Sequence, residues 1–441
     1  MSLYKLLETK SKQYIYDAYE NELVELPKRI FNIIKNERNN DIYQKFINEN
    51  KLRDIYQEDF ITFKSPLEDH VYRWIIENKQ KTLIISLTEE CNMRCEYCTN
   101  YKKDREGHQP QQMSKSMLEK AIDQFMIHSK ESKEITISFY GGEPLLQFDL
   151  VQHAVDYANN NHFGQNILYL ITTNGLFLEK QEICDYLIEN DFFITVSLDG
   201  PERIHDRYRI DKNGEPTYKR IMDNLRKIKR TNLNYFKTKI SYNAVAAPPC
   251  QSELLKEFFE DCKVNIFELQ PTDYFKEKYL IENKEEREPL VGVRKGTKQE
   301  GVKKIHNRLQ LKSHEISNPC SFCFPYLKKI YLKVDGELLV CEKVKEEVLE
   351  FEIGDVYHWI DYEKLNRFLN KTLDVFEKNC SKCWAVRICP VCYLKQGSID
   401  YNGEYCNRIR NQAAKDFVEY LSLIEKGDHD INLNNNFSFI G

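Results

Sequence analysis

Cys91, Cys95 and Cys98, within LTEECNMRCEYCTN at residues 87–100, stand close enough on one short stretch to serve a single metal centre. Three thiolates are one too few for a closed tetrahedral zinc site unless a distant group such as His108 completes it. They suit a 4Fe-4S cubane better. Three irons are gripped, and the fourth is left open to a small molecule that offers an amine and a carboxylate. Eight further cysteines follow as Cys320-x2-Cys323, Cys341, Cys380-x2-Cys383-x5-Cys389-x2-Cys392 and Cys406. Eight thiols serve two tetrathiolate centres, and spacing alone fits zinc and iron–sulfur equally. Cys184, Cys250 and Cys262 have no partner at ligand spacing and read as small buried apolar residues.

The residues around the first three cysteines must hold them. From residue 82, short apolar runs alternate with helical periodicity: TLIISLT, SMLEKAIDQFMIHS, EITISFYGG, FDLVQHAVDYANNN, ILYLITTNG, EICDYLIEND, FITVSLDG and onward to NIFELQP near residue 270. Strands buried on both faces and joined by helices form a parallel sheet, and about six such units make a partial β/α barrel. Chemistry then belongs at the C-terminal strand ends. There lie the cysteine loop, Gly141-Gly142-Glu143-Pro144, Thr173-Asn174-Gly175 and Ser197-Leu198-Asp199-Gly200.

Before this repeat, KQYIYDAYENELVEL reads as a hairpin with Tyr14, Tyr16 and Ala18 on one face, and KRIFNIIKN as a helix with Ile30, Ile33 and Ile34 on one side. After it, residues 281–314 are dense in charge and read as a solvated bridge, and INLNNNFSFIG at the end as a loose tail. The 441 residues carry a formal charge of only -5 with 41% apolar residues, which points to neither nucleic acid nor an anionic membrane. No apolar run approaches a membrane span and no signal peptide opens the sequence, so a cytoplasmic location is expected. Fourteen cysteines in a reducing compartment are ligands rather than a disulfide framework.

With GGEP on the strand after the cysteines, the pattern resembles the radical S-adenosylmethionine (SAM) superfamily, whose CxxxCxxC loop matches Cys91, Cys95 and Cys98. The resemblance implies that these cysteines ligate a 4Fe-4S cluster whose open iron takes the amine and carboxylate of S-adenosyl-L-methionine. It implies that Tyr97 flanks the adenine, that Gly141 and Gly142 leave room for the methionyl group, and that Glu143 accepts from its ammonium. Asn174 and Ser197 fall where the family places ribose and carboxylate contacts, and Arg209 is a candidate partner of the SAM carboxylate. The later cysteines, with GELLVC and Gly354-Asp355-Val356, are similar to the SPASM extension, which holds two auxiliary 4Fe-4S clusters. That likeness assigns Cys320, Cys323, Cys341 and Cys392 to the first and Cys380, Cys383, Cys389 and Cys406 to the second, with two residues rather than the usual three between Cys389 and Cys392.

The expected architecture is therefore α/β: a winged-helix-like leader-recognition module at 1–78, a partial (β/α)6 radical SAM barrel at 79–280, a charged bridging segment at 281–315 and a SPASM domain at 316–441. The chemistry implied is hydrogen abstraction by a 5'-deoxyadenosyl radical. Asp199 is a candidate proton acceptor, and the auxiliary clusters are a sink for the departing electron. The expected partners are a ribosomally made precursor peptide bound through its leader and an electron donor such as flavodoxin or ferredoxin. The expected product is a thioether or carbon–carbon crosslink. The rivals are a formylglycine-forming sulfatase maturase, a peptide epimerase and a zinc-scaffolded binding protein.

Overall fold

In the computed structural model, each apolar run of the repeat is a strand. The structure describes residues 2–36, 41–50, 52–57, 59–98, 107–247, 264–268, 315–316, 325–344, 349–389 and 403–426, with Leu255, residues 257–259, Ile305 and Leu309. Most of the bridge expected at 281–315 and the whole tail at 431–441 lie outside these. The chain divides into two compact units that do not follow chain order. One comprises residues 1–73, 296–324 and 366–441, and the other residues 74–295 and 325–365.

The first unit begins with the antiparallel sheet of β1 (Tyr4–Glu8), β2 (Gln13–Asp17) and β3 (Glu22–Leu26), in that order. The expected hairpin is β2–β3, turning at Asn21 with φ 54°; β1 is an additional strand. Period-two alternation gives the sheet two apolar faces. Ile15, Val24 and Leu26 pack against Ile30, Phe31 and Ile34 of the helix Lys28–Asn36 and against Tyr43 and Ile47 of the helix Asp41–Glu49. Phe31 takes the buried place that periodicity assigns to Ile33. Leu7, Tyr14, Tyr16 and Leu23, on the opposite face, share a core with Trp384, Val386, Phe417 and Tyr420. A short strand β4 (Thr62–Phe63) completes this part of the unit.

In the second unit, β5 (Thr82–Ser86), β6 (Glu134–Tyr140), β7 (Asn166–Thr173), β8 (Phe193–Ser197), β9 (Ile240–Ala246) and β10 (Val264–Glu268) are all parallel. These are the six strands of the repeat. Leu83, Ile85, Ile137, Phe139, Ile171, Ile194 and Val196 are fully buried, as a parallel sheet covered by helices requires. The helix Lys115–His128 shows how the cover is built: Ser114 caps it by accepting from the Met117 N–H at 3.2 Å, and it buries Leu118, Ala121, Ile122 and Phe125. Strand β11 (Glu315–Ile316) then pairs with β4 in the first unit.

The sheet of the second unit continues in residues that the sequence groups with the cysteine-rich segment. β12 (Lys329–Leu332) pairs in parallel with β5, and β13 (Glu337–Leu339), β14 (Glu352–Asp355) and β15 (Trp359–Ile360) follow as an antiparallel meander. The order is β10-β9-β8-β7-β6-β5-β12-β13-β14-β15, a mostly parallel α/β sheet among the described residues. Register aligns Ser86 with Tyr140, Thr173 with Val196, and Ser197 with Asn243, so the loops after these strands share one rim. No helix among the described residues is long and apolar enough to cross a membrane.

Candidate active site

The cysteine loop leaves β5 and is held from both sides. On one side the Gly142 N–H donates to the Thr88 carbonyl at 2.7 Å and the Glu143 N–H to the Glu90 carbonyl at 2.8 Å. That approach explains the two glycines. A Cβ on Gly142 would lie 2.1 Å from the Glu90 oxygen, and one on Gly141, at φ 129°, 2.4 Å from the Thr88 oxygen. The room they leave is filled first by the chain's own backbone. On the other side the N–H groups of Arg94 and Glu96 donate to the carbonyls of Ile210 and Tyr208, at 2.8 and 3.2 Å. Apart from Arg209, nothing in the sequence marks residues 208–212 as this clamp.

Between these walls Cys95 is buried, and Cys91 and Cys98 are partly so. Burial, then Glu143, pushes the Cys91 thiol well up, and burial takes Cys95 to about 12 although the Arg209 cation opposes it. Thiols in such a place stay protonated unless a metal takes the proton's place. No three His, Cys, Asp or Glu side chains among the described residues converge tightly enough to hold one ion, and His108 is engaged by Glu89 at 2.7 Å. The set therefore fits a wider multi-iron cluster better than a single zinc completed by His108.

Glu143 is fully buried and accepts from the Thr173 hydroxyl at 2.7 Å, the Asn174 N–H at 2.8 Å and the Leu145 N–H at 3.2 Å. Burial raises its pKa to about 7 against these bonds. Of the roughly four acceptor sites of a carboxylate, one remains for a ligand. Asn174 Nδ2 donates to Asn92 Oδ1 at 2.7 Å and points at Cys91 Sγ, 3.8 Å away. The left-handed residue of that turn is Gly175, at φ 83°. Ser197 is partly buried at the end of β8.

Tyr97, Asp199 and Arg209 form one buried unit. Asp199 Oδ2 accepts from Arg209 Nε at 2.8 Å and from the Tyr97 hydroxyl, and Oδ1 accepts from the Val245 N–H at 2.8 Å. Arg209 lies over the Tyr97 ring at 5.3 Å, with Nη1 3.9 Å from Cys95 Sγ. Asp199 holds Arg209 and Tyr97 in place. A carboxylate that sequence reasoning missed, Glu342, accepts from Lys329 at 2.7 Å and from the Cys341 thiol at 3.2 Å. Lys329 keeps its pKa low despite burial. Tyr140, at the end of β6, lies near both cysteine regions: burial, Glu342 and the Cys98 and Cys341 thiols all push its phenol up. The available signal was the adjacency of Glu342 to Cys341 in LLVCEK.

Behind Asp199, His205 is buried and joins the Asp199 N–H to the Thr217 hydroxyl, which donates to the Arg209 carbonyl at 2.7 Å. Burial lowers the His205 pKa to about 3. Below the unfolded value of about 6.5 the unfolded chain binds a proton that the folded chain refuses. The contribution of His205 to stability is therefore complete above that pH and is lost as pH falls from 6.5 toward 3, by up to about 1.4 kcal/mol per pH unit. Unfolding midpoints measured across this window will fall more steeply in the wild type than in His205→Gln; parallel curves would refute the assignment.

In the other unit, Cys380, Cys383, Cys389 and Cys406 line one cavity of about 430 Å³ that is partly open to solvent. The Cys380 thiol is raised by burial and by the other three. Cys341 is described, at the end of the β13 segment, whereas Cys320, Cys323 and Cys392 lie outside the described residues.

Residues 85–247 match the family model of the Radical SAM superfamily, which implies SAM and a 4Fe-4S cluster. The serine-type anaerobic sulfatase-maturating enzyme of Bacteroides thetaiotaomicron is 32% identical over 33% of this chain and 35% of its own length. The radical SAM cyclopropyl synthase TigE of Paramaledivibacter caminithermalis is 26% identical over 55% of this chain and 50% of its own. The chain thus spans half or less of the length of these relatives. The solved structure of native anSMEcpe with bound AdoMet superposes at a TM-score of 0.56 and 19% identity, over 79% of this chain and 99% of that one, a likeness of fold.

Proposed function

Since the chain is an enzyme carrying a radical SAM domain, we propose that it is a peptide maturase, which takes a hydrogen from a residue of a ribosomally made precursor and installs a thioether or carbon–carbon crosslink. The observation that carries the reading is the three-stranded sheet β1–β3. Among the described residues β3 pairs with β2 alone, and beside it lies a partly open hollow lined by Val24, Leu26, Ile34, Phe46 and Ile47 together with Asp17, Glu20, Glu22 and Arg53. A sheet edge next to such a hollow is suited to an extended leader peptide that adds a strand and buries alternate side chains. The names of the relatives support modification of a peptide or protein without fixing which bond is made.

Cys91, Cys95 and Cys98 would hold the 4Fe-4S cluster, which when bound supplies the electron that cleaves SAM. Tyr97 would flank the adenine, Asn174 and Ser197 would meet the ribose and carboxylate, and the free acceptor site of Glu143 would meet the ammonium. Arg209, fixed by Asp199, would place its positive charge between Cys95 and the SAM carboxylate. Asp199, beside Tyr97 and Arg209, would take the proton released when the new bond closes. Cys320, Cys323, Cys341 and Cys392, and Cys380, Cys383, Cys389 and Cys406, would hold two auxiliary clusters. A flavodoxin or ferredoxin would supply electrons in the cytoplasm.

The test is anaerobic turnover of a precursor peptide with and without its leader. The full peptide will lose two hydrogens while 5'-deoxyadenosine accumulates. The leaderless one will stay unmodified while SAM is still cleaved slowly. Unchanged mass with inversion at a carbon would indicate the epimerase instead. Conversion of a cysteine or serine in a sulfatase peptide, indifferent to any leader, would select the sulfatase reading.

A further inference from the structure

The seven residues CWAVRIC at 383–389 belong to two structures at once. Their terminal cysteines line the four-cysteine cavity. The residues between them form part of the core under the amino-terminal sheet: Trp384, Ala385 and Val386 are buried in the same cluster as Leu7, Tyr14 and Tyr16. Arg387, 7% exposed, donates to the carbonyls of Ala18 and Tyr19 at 2.6 and 3.1 Å, in the turn between β2 and β3. The loop itself is neither helix nor strand.

The helix Glu404–Glu425 repeats the pattern. Cys406, in its first turn, faces the cavity. Farther along, Phe417 packs on Tyr16 with ring centroids 4.7 Å apart, and Glu425 accepts from Thr9 at 2.7 Å and from the Tyr14 hydroxyl at 2.9 Å. Two of the segments that carry the thiols are thus the segments that cover and cap β1–β3.

We propose that metal occupancy of Cys380, Cys383, Cys389 and Cys406 controls the order of the amino-terminal sheet, and with it the capacity to bind a leader. The second clause rests on the function proposed above; the first does not. Four thiolates on a common centre close the CWAVRIC loop and fix the start of the helix. Without the centre the loop regains its conformational freedom, and Trp384, Val386 and Arg387 no longer have a fixed position from which to cover the sheet. Linkage works both ways, so contacts that stabilise the sheet tighten binding of the metal.

Hydrogen exchange of the full chain, reconstituted anaerobically without peptide or SAM, tests this. The double variant Cys383→Ala/Cys406→Ala will lose about four irons per chain, and amides in residues 4–26 will exchange at least about tenfold faster. The triple variant Cys91→Ala/Cys95→Ala/Cys98→Ala will also lose about four irons but leave those amides protected. Arg387→Met, which keeps every thiol, will give up iron at a several-fold lower chelator concentration than wild type, with the difference confined to about four irons. Unchanged exchange at 4–26 in the double variant, equal acceleration in the triple variant, or wild-type iron release from Arg387→Met would each overturn the proposal. Because no turnover is read, failure of the maturase reading leaves these results intact.

Discussion

Replacing Cys91, Cys95 and Cys98 together with alanine will abolish release of 5'-deoxyadenosine under dithionite and lower iron content by about four per chain. The expectation follows from how the loop is built. The Gly142 and Glu143 N–H groups on one side and the Ile210 and Tyr208 carbonyls on the other fix its backbone by four hydrogen bonds. The variant should therefore keep the loop's path while losing its ligands. Burial makes Cys91 and Cys95 poor thiolates on their own, so they have no evident use without a metal. Iron analysis and chromatography of the nucleoside product read the two effects separately. Undiminished nucleoside release from the variant would remove the basis for every role assigned around it.

The second large effect concerns stability. Asp199→Ala or Arg209→Met will each cost about 3–5 kcal/mol, because either change strands a buried charge. The side chains of Arg209 and Asp199 are 9% and 1% exposed, so water cannot replace the missing partner. The double variant will lose less than the sum of the two, since it removes both charges and leaves only packing defects. Denaturant midpoints of the four proteins give the cycle directly. Single variants within about 1 kcal/mol of wild type would show that the pair is solvated like a surface bridge.

The parallel repeat was legible because its strands are covered on both faces. TLIIS is apolar almost throughout, and EITISFY and ILYLITT end at Gly141 and Asn174, which mark their strand ends. The hairpin β2–β3 was legible from Tyr14 and Tyr16 facing one way and Ile15 the other. β1 was not, since YKLLE buries only Leu7 fully and shows no clear period. Pairings between distant segments left no local trace. Nothing in KIYL names β5 as its neighbour, and nothing in RYRID announces that residues 208–212 lie along the cysteine loop. Among the site residues, cysteine spacing and GGEP carried their own signal, but the partners of a charged side chain did not. Asp199 and Arg209 were read as two separate candidates, and only the geometry joins them.

The placement of β12 against β5 also bears on how the molecule is made. β5 is the first strand of its sheet to be synthesised, yet one of its two flanks is closed by residues 329–332. While the intervening chain is translated, the nascent sheet carries an open, strongly apolar border at Leu83, Ile84 and Ile85, the kind of border that recruits stray strands. Ribosome-bound intermediates halted before residue 329 should therefore depend on holdase chaperones. That dependence would end when KIYL emerges and seals the border.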